Sequence, residues 1–272
     1  MCKMWSKSRT RQTVMQTIET KINPDFITAF IPAAGYGSRL GSLTQNKPKA
    51  LAEVNGIPLL AHVIRKLTSL GISKFVVNVH HFAELIRDFL KSTEFTNLDI
   101  RLSDETDALM DTGGGLIKAS RLVDDNCQAI LVHNVDILTD INLTEALSAH
   151  FSGNHDVTLI VSDRYSSRKL IFDNQMNLTG WINLTTGEEL MANGKGNNSK
   201  NLMAFSGIHI VNPAIMRKID IKAIPLTKLY LSLTEHLIRG HTCTPSYFFD
   251  MGKPDDLLTA ESFLQQKQFR NE

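Results

Sequence analysis

Two cations stand beside a glycine-rich turn near the amino end of this 272-residue chain. Arg39 closes Ala33-Ala34-Gly35-Tyr36-Gly37-Ser38-Arg39, and Lys49 follows in Asn46-Lys47-Pro48-Lys49. Glycines let backbone N–H groups turn toward a polyphosphate without obstruction, and two cations add charge-assisted hydrogen bonds to its oxygens. The pattern predicts an anion cradle over Ala33, Ala34, Gly35, Gly37 and Ser38, although the glycines alone fit an ordinary strand-to-helix turn equally well. Two familiar phosphate loops do not fit. The spacing is not that of a P-loop, and Leu40 stands where a dinucleotide fingerprint requires its third glycine.

Two aspartates complement the cations. Asp136 follows the apolar run Ala129–Val132, where open α/β sheets bind ligands, and Asp250 follows Tyr247-Phe248-Phe249. Magnesium takes one or two carboxylates together with substrate phosphates, so a pair from distant segments suffices for Mg²⁺. Either aspartate alone reads more readily as a cap or turn residue than as a ligand. His133 and Asp140 lie nearby as weaker candidates, His133 reading first as a structural histidine. Between the two regions, Asp111-Thr112-Gly113-Gly114-Gly115 offers a flat backbone wall for a planar base, or simply a flexible loop at a helix start.

Three linked blocks make the pattern specific. Ile31–Leu40, Lys47-Pro48-Lys49-Ala50-Leu51 and Val54-Asn55-Gly56-Ile57-Pro58-Leu59 resemble the signature of sugar-1-phosphate nucleotidyltransferases: an L-A-A/G-G-x-G-x-R-L loop, then P-K-x-L, then G-x-P-L. The resemblance is to short members, of the N-acetylmuramate-1-phosphate uridylyltransferase and mannose-1-phosphate guanylyltransferase kind, because no hexapeptide run signals a C-terminal β-helix. It implies an NTP, UTP or GTP, and a sugar 1-phosphate as substrates. It implies that Lys49 serves the α-phosphate and Arg39 the departing pyrophosphate, and that the backbone around Thr112, Gly113 and Gly114 contacts the base. Asn134 and Asp136 match the N-G-D block, and Asp250 matches the W-x-D-x-G-T block, so both acids are expected to hold Mg²⁺. Two residues depart from the pattern: Val135 replaces the block's glycine and Lys253 its threonine.

The acceptor side is less regular. The Glu-Lys-Pro block that holds the sugar phosphate in many members is absent, which leaves Arg168 and Lys169, a pair that reads equally as solvated. Ser206 and Gly207 in Phe205-Ser206-Gly207-Ile208 resemble the family's sugar-pocket strand. Trp181 is placed either on a sugar ring or in the core. Two rival readings remain: nucleotidyl transfer to a phosphocholine-like, methylerythritol phosphate or molybdopterin acceptor, and an inactive nucleotide-binding module hinted at by Val135.

Positioning these groups requires a layered scaffold. Phe26–Ile31, Phe75–Val79, Leu98–Leu102 and Ala129–Val132 read as strands, alternating with helices over Pro58–Leu70, Ala83–Leu90 and Gly115–Leu122. Alternation of this kind predicts a parallel sheet covered on both faces, and the resemblance implies a Rossmann-like three-layer α/β/α fold with a mixed, mainly parallel sheet. Further along, Leu170–Phe172, Leu178–Ile182, Met203–Val211 and Ser246–Phe249 read as strands, Leu226–Arg239 and Pro254–Gln266 as helices, and Gly194–Lys200 as a polar loop. Residues 1–25 read as an extension with a short helix over Thr13–Lys21. Residues 26–272 form one nucleotidyltransferase domain, with a nucleotide-binding half to 163 and a sugar-phosphate half from 164.

Composition narrows the partners. With 29 basic and 28 acidic residues, net charge +1, no global field draws the chain to nucleic acid or an acidic membrane, so any anion site is local. Cys2, Cys127 and Cys243 fit neither a disulfide framework nor a zinc cluster, and no long apolar run follows the basic start, so a cytoplasmic setting is expected. The sequence carries no signal for oligomeric state.

Overall fold

A computed structural model describes residues 22–192 and 201–271, with side chains described as far as residue 267. The helix expected over Thr13–Lys21 and the Gly194–Lys200 loop lie outside the described residues. In chain order the strands are β1 (Ile27–Pro32), β2 (Glu53–Val54), β3 (Ile57–Pro58), β4 (Lys74–Val79), β5 (Asp99–Asp104), β6 (Ala129–His133), β7 (Ile137–Thr139), β8 (Val157–Ser162), β9 (Arg168–Phe172), β10 (Leu178–Asn183), β11 (Glu189–Met191), β12 (Asn201–Val211), β13 (Ile238–Thr242) and β14 (Phe248–Asp250). The helices are α1 (Leu59–Thr68), α2 (Ala83–Leu90), α3 (Asp111–Ala119), α4 (Leu143–Ser152), α5 (Pro213–Met216), α6 (Leu226–Ser232) and α7 (Pro254–Asn271). None of the described helices is long and apolar enough to cross a membrane.

The near-continuous apolar runs form strands buried on both faces. Ile27, Ala29 and Ile31 of β1 join a core that includes residues of α1, α2, α4 and α7, while Phe30 points the other way into a core built with α3, α5 and α6. β6 splits likewise, Ala129 and Leu131 against Ile130 and Val132. This is the expected three-layer Rossmann-like arrangement. The sheet runs β11-β10-β9-β12-β6-β1-β4-β5, parallel through β6-β1-β4-β5 and antiparallel from β12 outward. β8 adds antiparallel to β12 and carries β13 on its far edge. The described residues contain no β-helix.

Two expected elements take a different form. The helix over Leu226–Arg239 stops at Ser232, and Ile238–Thr242 instead pairs parallel with β8. Gly240 is a poor helix interior residue, and in the strand it lets the backbone pass close to Met176 Cε and the Phe172 ring, which a Cβ would meet at 2.7 and 3.0 Å. The glycines of Thr112–Gly115 open α3 rather than forming a loop before it. Unsatisfied N–H groups of a first helical turn need acceptors, and here Gly113 and Gly114 both donate to the Ile224 carbonyl, at 2.9 and 3.1 Å.

Candidate active site

The carboxyl ends of β1, β4, β5 and β6 open onto one pocket. Its lining includes Ala33, Ala34, Gly35, Lys49, Asp111, Thr112, Asn134 and Asp136, drawn from four separate segments. An open sheet with parallel central strands places a ligand crevice at this edge. The polypeptide around it is tied down by one side chain. Asn78 Oδ1, buried at the end of β4, accepts from the N–H groups of Ala33 (2.6 Å) and Ala34 (3.1 Å), and Asn78 Nδ2 donates to Glu105 Oε1 at 2.9 Å. Glu105 in turn accepts from the Met110 N–H at 3.1 Å, fixing the segment that leads into α3. Neither Asn78 nor Glu105 was singled out from the sequence. An Asn ending an apolar strand was the available signal for the first, and Glu105 had none.

The carboxyl end of β6 delivers Asp136. Lys49 reaches it from a short 3-10 turn, its Nζ donating to Asp136 Oδ2 at 2.5 Å, with the lysine only 8% exposed. Gly37 makes this approach possible. Its φ is +65°, and a Cβ would lie 2.8 Å from Lys49 Cβ, so the loop rests directly on the lysine stem. Gly37 and Ser38 thus lie outside the pocket lining: Gly37 supports Lys49, and Ser38 begins the exposed turn that carries Arg39.

The second acid arrives from far along the chain. β14 pairs antiparallel with β7, setting Asp250 against Ile137, the residue after Asp136, and the Met251 N–H donates to the Asp136 carbonyl at 2.8 Å. Burial pushes the Asp250 carboxyl pKa up, and the charge of Asp136 pushes it further, against the pull of Lys49, Arg39 and Arg164. Arg39 lies close enough that a Cβ on Gly252 would sit 3.3 Å from its Nη1. The cationic turn and both acids therefore converge.

Other expected residues fall elsewhere. Gly113 and Gly114 let the 222–224 backbone pack directly on them: a Cβ on Gly114 would lie 2.2 Å from the Lys222 carbonyl, and one on Gly113 2.7 Å from that of Ile224. Asp111 and Thr112 are what this segment contributes to the pocket lining. Ser206 is buried and spends its hydroxyl on the Ile160 carbonyl at 2.8 Å. Gly207, at φ +77°, accepts from the Asn134 N–H at 3.0 Å and so fixes the pocket's rim. Trp181 packs against the core on the α3 face, Arg168 is exposed, and Lys169 Nζ donates to the Arg164 carbonyl at 2.8 Å. His133 is fully buried and held neutral, its pKa lowered to about 4 by burial first and Lys66 second. It lines a second cavity with Lys66, Asp140 and Tyr247.

A neighbouring cleft holds what the sequence missed. It is lined by Arg39, Arg164, Tyr165, Phe248, Asp250 and Lys253, among others, so it adjoins the two acids. Arg164 sits just past the end of β8 with no motif around it, which is why spacing did not reveal it.

Known proteins carry the same scaffold. Over 234 residues, covering 85% of this chain and 63% of the relative, it is 25% identical to mannose-1-phosphate guanylyltransferase 1 of Arabidopsis thaliana. Over 110 residues, 40% of this chain and 45% of the relative, it is 38% identical to N-acetylmuramate alpha-1-phosphate uridylyltransferase of Caulobacter vibrioides. The chain thus spans less than two thirds of the guanylyltransferases it matches. The crystal structure of HddC from Yersinia pseudotuberculosis complexed with GMP-PN superposes with a TM-score of 0.70 over 87% of this chain and 99% of that one, at 17% identity, a likeness of fold. The MobA-like NTP transferase domain matches residues 29–216, the stretch that supplies β1, Lys49, Asp136 and the strands around them, and the chain belongs to that family.

Proposed function

We propose that this protein joins a nucleoside triphosphate to a sugar 1-phosphate, releasing pyrophosphate. The observation that carries the reading is the convergence of Asp136 and Asp250 beside Lys49 and Arg39, at the edge of a pocket built from the Ala33–Gly35 turn. The Asp250 carboxyl, raised by burial and by the charge of Asp136, would be relieved by a cation, and hard oxygen donors with phosphates suit Mg²⁺. Asp136 and Asp250 would hold that ion, which neutralises charge on the phosphate oxygens.

The residues supply cations and carboxylates but no nucleophile, which matches a reaction whose nucleophile is already anionic. A phosphate oxygen of the sugar 1-phosphate attacks the α-phosphorus, a new P–O bond forms, and the bond to the β-phosphate breaks with pyrophosphate as leaving group. No proton has to be removed. Lys49, held beside Asp136, is aimed at the reacting phosphate, and Arg39 on its exposed turn is free to follow the leaving pyrophosphate. Fixed charges aimed at oxygens whose charge grows in the transition state stabilise it more than the ground state. On this reading residues 26–163 serve the nucleotide, residues 164–272 serve the acceptor, and the setting is cytoplasmic. UTP and GTP are the leading nucleotides, after the relatives named above.

The test is a matrix of NTPs against sugar 1-phosphates, read as pyrophosphate with and without Mg²⁺. Release with at least one pair, lost with EDTA, is the expected result. Release only with phosphocholine, methylerythritol phosphate or molybdopterin would move the acceptor class, and NTP binding without release would leave a binding module.

A further inference from the structure

The cleft beside Asp250 contains a cation that the chain leaves without an anion. Arg164 Nη2 donates to the Phe205 carbonyl at 2.7 Å and Nη1 makes a long 3.4 Å contact with the Tyr165 carbonyl. Its Cζ lies 4.3 Å above the Phe248 ring, which covers one face of the guanidinium. Nε is buried without a hydrogen-bond partner. No described carboxylate pairs with it directly, and Asp250 acts on it only through space while burial opposes its charge. A desolvated guanidinium with open donors is costly unless an anion arrives to share them.

The surroundings indicate which anion. Arg39 and Lys253 line the same cleft, so cations outnumber the acids Asp250 and Asp256 there. Tyr165 stands 92% exposed at its rim, an aromatic face with an apolar body and a polar tip. Lys169, by contrast, spends its ammonium on the Arg164 carbonyl and so positions the arginine's backbone.

We propose that Arg164 receives the phosphate of the acceptor, and that the cleft takes a phosphorylated sugar whose ring lies against Tyr165. This rests on the nucleotidyl-transfer reading and replaces Arg168 and Lys169 as acceptor cations. Phe248 covers one face of the guanidinium and the Phe205 carbonyl holds Nη2, so Nη1, whose contact with the Tyr165 carbonyl is long, is the donor placed to turn to a phosphate oxygen.

The experiment titrates mannose 1-phosphate into the full chain by calorimetry, with Mg²⁺ and a non-hydrolysable NTP present, alongside pyrophosphate kinetics. Other hexose 1-phosphates are used if mannose 1-phosphate gives no signal. Arg164→Gln is expected to weaken acceptor binding about tenfold or more, the loss of one charge-assisted contact, while affinity for the nucleotide stays within about twofold. Arg164→Lys should recover part of the loss, and Tyr165→Ala, at an exposed position that folding does not need, should weaken acceptor binding alone. If acceptor affinity is unchanged in Arg164→Gln, or falls only in step with nucleotide affinity, the assignment is wrong. If Arg164→Gln does not fold, Tyr165→Ala and Arg164→Lys decide, and unchanged acceptor affinity in both overturns it. A wild type that turns over while these variants bind acceptor normally defeats the inference but not the proposed function. A wild type that binds acceptor through Arg164 yet releases no pyrophosphate defeats the proposed function but not the inference, and one that binds none of the sugar phosphates defeats both.

Discussion

The Met251 N–H donates to the Asp136 carbonyl at 2.8 Å, and this one backbone bond, with the β14–β7 pairing behind it, seats Asp250 beside Asp136. Backbone geometry, rather than attraction between the side chains, brings the two acids together. Their charges oppose the arrangement, and the oxygen-rich corner that results favours a bound cation.

Replacing Asp250 by Asn should therefore stabilise the metal-free protein while ending catalysis. A carboxyl whose folded pKa lies above its unfolded one holds its proton more tightly in the native state. Its contribution is fully present below the unfolded pKa and is lost as pH rises through the folded value. At neutral pH the wild type carries that cost, and Asp250→Asn does not. Thermal melts in EDTA should show the variant melting higher near pH 7, with the gap closing toward acid, and pyrophosphate release should vanish. An equal or lower melting temperature at neutral pH would show that Asp250 is not strained by its surroundings.

Asp136→Asn should act in the opposite direction on stability. It leaves the Lys49 ammonium, only 8% exposed, facing a neutral amide in place of a carboxylate at 2.5 Å. A charge-assisted bond of this kind contributes about 1.5–3 kcal/mol, so urea unfolding should shift by that order, and turnover should fall below detection. Lys49→Met removes a fixed cation aimed at the reacting phosphate and should cost roughly 10²–10³-fold in kcat. Retained turnover in Asp136→Asn would reject the metal assignment outright.

The front of the fold was legible because both faces of its strands are buried. Apolar runs such as Phe26–Ile31 and Ala129–Val132 announce themselves, and blocks of fixed spacing pointed to the Ala33–Gly35 turn, Lys49 and both acids, which the fold brings together. What spacing could not reveal was where a side chain points. The glycines at 113 and 114 carry the same letters whether or not another segment packs on them, and only the fold shows the Lys222–Ile224 backbone resting there. Ser206 likewise turns its hydroxyl into the core. Arg164 acquires its place through Phe248, a residue from the far end of the chain, so no local pattern marks it. The segment after Ser232 read as helix because Leu226–Leu237 is apolar at helical intervals, whereas the open edge of β8 recruits Ile238–Thr242 as a strand.

The two kinds of glycine can be told apart by experiment. Gly35 lines the pocket with nothing within 4 Å of a prospective Cβ, so Gly35→Ala should leave stability within about 0.5 kcal/mol and raise KM for the nucleotide. Gly114→Ala would drive a methyl to 2.2 Å from the Lys222 carbonyl, undocking the start of α3. Strain of that kind costs about 1–3 kcal/mol or more, and nucleotide affinity should change only through the loosened Thr112. Chemical denaturation beside nucleotide titration separates the cases. A Gly114→Ala protein of unchanged stability would mean that the 222–226 segment is not a fixed wall.

Acid should unfold the protein through its buried histidines, with His209 foremost. It is 1% exposed, neither ring nitrogen has a hydrogen-bond partner, and burial lowers its pKa to about 3. A histidine with a depressed folded pKa contributes stability that is present above its unfolded pKa, near 6.5, and is lost as pH falls toward the folded value. In that window the unfolded chain takes a proton that the native state refuses, at about 1.4 kcal/mol per pH unit once the unfolded histidine is fully protonated. His133 and His150, both held near 4 chiefly by burial, steepen the same limb. His209→Leu keeps an apolar body of similar size between Phe205 and Tyr230 and removes two unsatisfied nitrogens, so it should match or exceed the wild type near pH 8. Urea titrations from pH 8 down to 4.5 should then show the variant losing stability with a slope shallower by one proton. Parallel slopes for the two proteins would mean that native His209 accepts its proton in place, and that the space around it admits water.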